Sequence, residues 1–164
     1  MSSRPLLRLV PDPPAAPAPD VSFCGHCGEA PPTPMAARSR VCALCGLGVV
    51  ISASADVAPR SGESFLIVDR QLKLCALSRG AERLLGVDEP QAVHRPVGDF
   101  LEPADAEAGH GDELLQGIIA SAAGGVAPPL SIVVRPAGEY GVRYAARVGS
   151  CGPPEGALIV LATV

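Results

Sequence analysis

Apolar positions are sparse over the first third of the chain and dense over the rest, and from Gly62 onward they fall into short punctuated runs. Residues 64–69 (SFLIVD) and 72–78 (LKLCALS) are β-type runs parted by Arg70 and Gln71, which predicts a hairpin. Residues 79–85 (RGAERLL), closed by Gly86, have the pattern of a short helix with a glycine C-cap. Residues 112–123 place Leu114, Leu115, Ile118, Ile119 and Ala122 on one helical face. Asp112 and Glu113 favour the start of that helix through the dipole, and Gly124 and Gly125 stop it. Three more apolar runs follow, around 130–135, 142–148 and 157–164. The predicted order is strand, strand, short helices, long helix, three strands.

The N-terminal part has a different texture. Residues 1–22 carry Pro5, Pro11, Pro13, Pro14, Pro17 and Pro19 with almost no large apolar residue after Val10, so they cannot bury enough surface to offset chain entropy. They read as a disordered, partly polyproline tail. Residues 23–58 hold four of the six cysteines, and Pro31, Pro32 and Pro34 argue against a helix running between the cysteine pairs. A length of 164 residues allows one ordinary domain, or a small domain with a module attached. The layout is a tail over 1–22, a cysteine module over 23–58 and a domain over 62–164. At about 100 residues that domain is long enough to be expected to fold without the module.

Charge narrows the function. The net charge of -4 and pI near 5.3 exclude a polyanion binder that relies on a global positive field. Residues 1–60 have five arginines against four acids, and residues 61–164 have eight basic residues against thirteen acids. The stretch from Asp99 to Glu113 has six acids and no Lys or Arg, the composition of a solvated loop. Arg38 and Arg40, between the cysteine pairs, leave a nucleic-acid-binding role as an alternative. At the start, Arg8 and Pro11 interrupt the apolar stretch that a signal peptide needs. The longest apolar run, residues 157–164, is eight residues against roughly 20 for a spanning helix. It predicts a buried strand, so the expectation is a cytoplasmic protein with no membrane partner. In that reducing compartment six cysteines are metal ligands or core thiols before they are disulfides.

Their spacing selects the first option for four of them. Cys24-Gly-His-Cys27-Gly and Cys42-Ala-Leu-Cys45-Gly repeat the form CxxCG with fourteen residues between Cys27 and Cys42. A tight turn brings the two thiolates of one CxxC onto one face of a metal, and two such turns complete a closed, structural tetrahedral site. Gly28 and Gly46 suit turns of positive φ. A structural zinc can supply on the order of 10–16 kcal/mol to a segment too small to fold on a core of its own. Iron suits the same all-thiolate shell. His26, inside the first knuckle, is expected to face solvent without ligating. A redox dithiol fits less well, because prolines follow the first pair and a β-like run (GVVIS) follows the second. A thiol switch that releases zinc on oxidation stays open as an alternative. The module resembles zinc ribbons over about residues 22–55.

From Phe65 to Leu101 the sequence FLIVDRQLKLCALSRGAERLLGVDEPQAVHRPVGDFL resembles the opening of a PAS domain. The residues that carry the likeness are Asp69, Ala81, Glu82, Leu84, Leu85, Gly86, Arg95, Pro96, Asp99, Phe100 and Leu101. With the order of elements above, it extends over 62–164. It implies an α+β fold, a five-stranded antiparallel sheet with helices on one face. It also implies a sensory or regulatory role through a protein partner or a homodimer. Ser78 stands where such sequences often have Asn, and His94 where they often have Gly. The long helix, over 112–124, has no histidine to ligate haem, and the photoadduct cysteine motif of flavin light sensors is absent, so neither haem nor covalent flavin is expected. No phosphate loop, nucleophile triad or positioned carboxylate pair argues for an enzyme. Cys75 and Cys151 read as inert sheet residues, and His94 and His110 as exposed loop residues. Leu66, Val68, Leu130, Ile132, Val133, Val134, Leu158, Val160 and Leu161 exceed what one buried sheet face needs. That surplus suggests a second apolar face available for dimerisation.

Overall fold

A computed structural model describes residues 18–104, 110–124 and 128–163. The proline-rich tail up to residue 17, residues 105–109 of the acid-rich stretch and Gly125 lie outside the described residues.

The chain forms β1 (Asp20–Cys24), α1 (Pro34–Ala37), β2 (Val50–Ser54), β3 (Ser64–Val68) and β4 (Leu74–Leu77). Then come α2 (Arg79–Leu85), α3 (Glu89–Ala92), a 3₁₀ turn (Val97–Asp99), β5 (Leu101–Pro103), α4 (His110–Ala122), β6 (Leu130–Pro136), β7 (Tyr144–Gly152) and β8 (Gly156–Thr163). All strand pairings are antiparallel, in one sheet of order β1-β2-β7-β8-β3-β4, with β6 beside β7 and β5 beside β6. The hairpin of β3 and β4, the glycine-capped α2, the long α4 and the three last strands occur in the order the sequence pattern predicts. The fold is α+β.

Several local features depart from the sequence reading, each for a physical reason. Residues 20–22, read as tail, are the start of β1, which pairs with β2 from Asp20↔Ser54 to Cys24↔Val50. A helical turn does occur between the cysteine pairs. In α1, Pro34 occupies the first helical position, where its missing N–H costs nothing, and the Thr33 hydroxyl caps the turn by accepting from Ala36 N–H at 3.1 Å. His110 is the first residue of α4, so that helix is not free of histidine as its predicted span implied.

Strand alternation sends two sets of side chains to opposite faces. Leu66, Val68, Val148, Ile159 and Leu161 face α2, α3 and α4, whose Ala81, Ala92, Leu114 and Ile118 complete that core. Phe65, Ile67, Cys151, Leu158 and Val160 face the other way. This second face is covered by the chain itself: Phe23 of β1, Ile51 and Ala53 of β2, and Val57 and Ala58 after β2 close over it. The apolar surplus that suggested a dimer face is thus partly satisfied from within, since Leu158 and Val160 are both 0% exposed.

The join is also made by hydrogen bonds. One edge of β7 is divided: Tyr144 to Val148 pair with β6, whereas Cys151 and Gly152 pair with Ala53 and Ser52 of β2. The cysteine module and the larger domain therefore share a sheet and a core.

Candidate metal centre

Cys24 closes β1, Cys27 ends the turn after it, and Cys42 and Cys45 form the second turn just before β2. The two turns are built alike. Gly28 N–H donates to the Cys24 carbonyl and Gly46 N–H to the Cys42 carbonyl, each at 2.9 Å, and both glycines take positive φ (78° and 70°), as the repeated CxxCG form predicts. Gly25 N–H donates to Val49 O and Cys42 N–H to Gly48 O, both at 2.8 Å, which ties each knuckle to the backbone of the 48–49 segment.

This architecture brings the four sulfurs within 4.8 Å of one another. Cys24 Sγ lies 3.6 Å from Cys45 Sγ, and Cys27 Sγ lies 3.9 Å from Cys42 Sγ. A metal with four bonds of about 2.3 Å at tetrahedral angles needs sulfurs about 3.8 Å apart, so the spacing suits such an ion. Backbone amides already face the sulfurs: His26 and Cys27 N–H donate to Cys24 Sγ, and Leu44 N–H to Cys42 Sγ, all at 3.4 Å. Such N–H groups offset the charge that a four-thiolate shell gathers.

Gly48 provides a further test of fit. A Cβ at that position would lie 2.3 Å from Cys24 Sγ and 2.8 Å from the backbone nitrogen of His26. The first sulfur thus occupies the space that any other residue at 48 would fill. The repeated motif does not contain Gly48, and sequence reasoning missed it.

Electrostatics separate the thiols. Burial pushes Cys24 up to about 12 and also raises Cys27. Burial acts upward on Cys45 as well, but the Gly48 and Leu47 amides and the thiols of Cys24 and Cys42 stabilise its thiolate and bring it down to about 6. A metal entering the site would displace protons chiefly from the raised thiols. Cys75 is exposed on β4 and Cys151 is buried on β7, both outside the cluster.

His26 does not face solvent as its place in the knuckle suggested. Its side chain is 14% exposed and turns toward the larger domain, with Nδ1 3.8 Å from Glu89 Oε2 and Arg79 Nε 3.4 Å from its Nε2. Arg79 N–H donates to the His26 carbonyl at 3.0 Å.

The residues of the PAS resemblance have local structural roles. Asp69 Oδ1 accepts from Gln71 and Lys73 N–H and shapes the β3–β4 turn. Ser78 accepts from Ala81 N–H as the cap of α2 and from Phe65 N–H as well. Arg95 pairs with Asp99 and stacks on Phe100.

These features define an α+β protein with an antiparallel sheet, helices on one face of it, and a cluster of four cysteines that could hold a metal ion. No protein-family profile and no curated protein matches the chain. Among solved structures it is similar to a domain of an HTR-like protein from Haloarcula marismortui ATCC 43049. Identity there is 12% over 63% of this chain and 99% of the other, with a TM-score of 0.45. It is also similar to the PAS domain of a protein from Colwellia psychrerythraea, at 17% identity over 63% of this chain and 86% of that one, with a TM-score of 0.43. Among the described residues no helix is long and apolar enough to cross a membrane.

Proposed function

We propose that the chain is a non-catalytic regulatory protein that acts by contact with another protein. In this reading Cys24, Cys27, Cys42 and Cys45 hold one structural zinc ion, and the PAS-like sheet is the sensing or interaction part. The observation that carries the reading is the convergence of four sulfurs on a module that shares its sheet and core with the larger domain. A closed shell leaves no open coordination position for substrate, so the ion fixes structure and does not activate water. Free thiols at this spacing suit a reducing, cytoplasmic setting.

Native mass spectrometry of the reduced full chain tests this. The expected mass is that of the protein plus one zinc, with the metal lost in Cys42→Ser. An iron adduct would change the metal, and less than about half an equivalent of any metal would remove the site.

The close pairs Cys24–Cys45 and Cys27–Cys42 also support a thiol-switch reading. Two equivalents of peroxide, each taking two electrons from one pair and being reduced to water, would form two S–S bonds and release the metal. Zinc retained after peroxide treatment would exclude it.

A further inference from the structure

The segment between the first knuckle and the end of β2 is unusual in two respects. Of the ten large hydrophobic residues exposed among the described residues, five fall within residues 35–49: Met35, Val41, Leu44, Leu47 and Val49, between 48% and 75% exposed. The sequence from residue 30 to residue 55 also contains no Asp or Glu but does contain Arg38 and Arg40. Both arginines are exposed, and among the described residues no acidic side chain pairs with either.

Arg38 and Arg40 line a groove of about 500 Å³ together with Val49 and Val50 of the β2 strand region and Pro153 and Pro154 from the β7–β8 turn, and Val41 bridges to Val49. Exposed apolar residues gathered in one place mark interfaces, and cations without counter-charge select an acidic complement.

A nucleic acid fits this surface poorly. No Phe, Tyr or Trp lies between Phe23 and Phe65 to stack on a base, and two cations make a small footprint for a phosphate backbone.

We propose that this groove binds a short segment of a partner protein that carries acidic residues interspersed with aliphatic ones. Its carboxylates pair with Arg38 and Arg40, and its apolar side chains cover Val49, Val50, Pro153 and Pro154. The inference rests on the reading that the protein acts by contact, and it names the surface and the chemistry of that contact.

A random dodecapeptide library displayed on phage and selected on the zinc-loaded full chain tests it. Enriched peptides should combine Asp or Glu with Leu, Ile or Val. They should bind about tenfold more weakly to the Arg38→Glu/Arg40→Glu variant, and more weakly as salt is raised. Amide shifts on binding should concentrate in residues 36–52 and 153–154. Both arginines are exposed, so the variant should keep its zinc, and Val49→Ser, in the groove lining, gives an independent loss of binding. No enrichment, basic enriched sequences, equal binding by the charge-reversed variant, or tighter binding of a single-stranded oligonucleotide would each overturn the proposal. A cellular partner recovered equally by wild type and variant would overturn this surface while leaving the contact function standing. Recovery of no partner by either, despite peptide binding here, would count against the contact function.

Discussion

Phe23, the residue before the first cysteine, meets Phe65 of β3 edge to face, with ring centroids 5.5 Å apart and ring planes at 87°. Phe65 is 0% exposed and Phe23 is 2% exposed, so this contact sits at the centre of the seam between the cysteine module and the larger sheet. Gly28 of the first knuckle also sits close to this ring, since a Cβ there would lie 3.3 Å from Phe65 Cε1.

The seam changes what is expected of the isolated domain. The sequence suggests that residues 62–164 fold alone, but their sheet uncovers Phe65, Ile67, Leu158 and Val160 when the module is removed. At about 1.5–3 kcal/mol for each fully exposed side chain, the loss is up to roughly 6–12 kcal/mol, as large as the total stability of a typical domain. A fragment of residues 60–164 should associate in solution or melt without cooperativity, in contrast to the full chain. Sedimentation and urea unfolding of the two proteins check this, and a monomeric fragment with an undiminished midpoint would contradict it.

The two faces of the sheet explain which parts were legible in the sequence. Turn residues and apolar periods mark the β3–β4 hairpin, α2 and the last three strands, because those signals are local. The metal ligands are legible because CxxCG is itself a local geometry. The pairing of Ala53 with Cys151 spans almost a hundred positions and has no local signature, so the module and domain read as separate. Surplus apolar residues such as Leu158 and Val160 do report a second buried face, but composition cannot say that the chain's own Phe23 and Ile51 cover it. The inward turn of His26 has no local signature for the same reason: its partners, Arg79 and Glu89, belong to the other half.

Gly48→Ala should damage the metal site selectively. The new methyl would fall 2.3 Å from Cys24 Sγ, against backbone that cannot retreat without opening the first knuckle. Zinc content after dialysis should drop well below one equivalent, while the circular dichroism of the sheet changes little. Full retention of zinc by the variant would refute the role assigned to this glycine.

Glu63 provides an acid-side prediction. Burial pushes its carboxyl upward, but the two hydrogen bonds from Arg147, at 2.7 and 3.2 Å, and one from Arg60 N–H hold it below its ordinary 4.5. The unfolded chain takes up this proton at higher pH than the folded one. The contribution is therefore fully present above about pH 4.5 and is lost as pH falls through the depressed value. Zinc-loaded Glu63→Gln should lose stability at neutral pH and show a shallower fall than wild type below that point. Parallel curves for the two proteins would rule this out.

His94 adopts φ 69°, a left-handed conformation in an exposed position, with its N–H donating to Leu74 O at 2.9 Å. Holding a side chain there costs about 1 kcal/mol, which glycine avoids at some cost in unfolded-state entropy. His94→Gly should stabilise the protein by about 0.5 kcal/mol, seen as a higher urea midpoint at unchanged slope.

Metal removal should be felt beyond the knuckles. The His26 carbonyl accepts from Arg79 N–H at 3.0 Å at the start of α2, and His26 Nδ1 faces Glu89, whose Oε1 accepts from Leu77 N–H at 3.0 Å. These contacts depend on the Cys24–Cys27 turn keeping its shape, and without an ion that turn is held by a few backbone hydrogen bonds, among them Gly28 N–H to the Cys24 carbonyl and Gly25 N–H to Val49 O, and by weak N–H to sulfur bonds. Chelation should therefore raise the hydrogen-exchange rates of Arg79 and Leu77 along with those of residues 24–50. The amides of Val148, Ile159 and Leu161, whose side chains pack with α4, should stay protected, because that core contains no residue of the module. Exchange confined to residues 24–50 after chelation would show that the two halves share a core but do not transmit the loss of the metal.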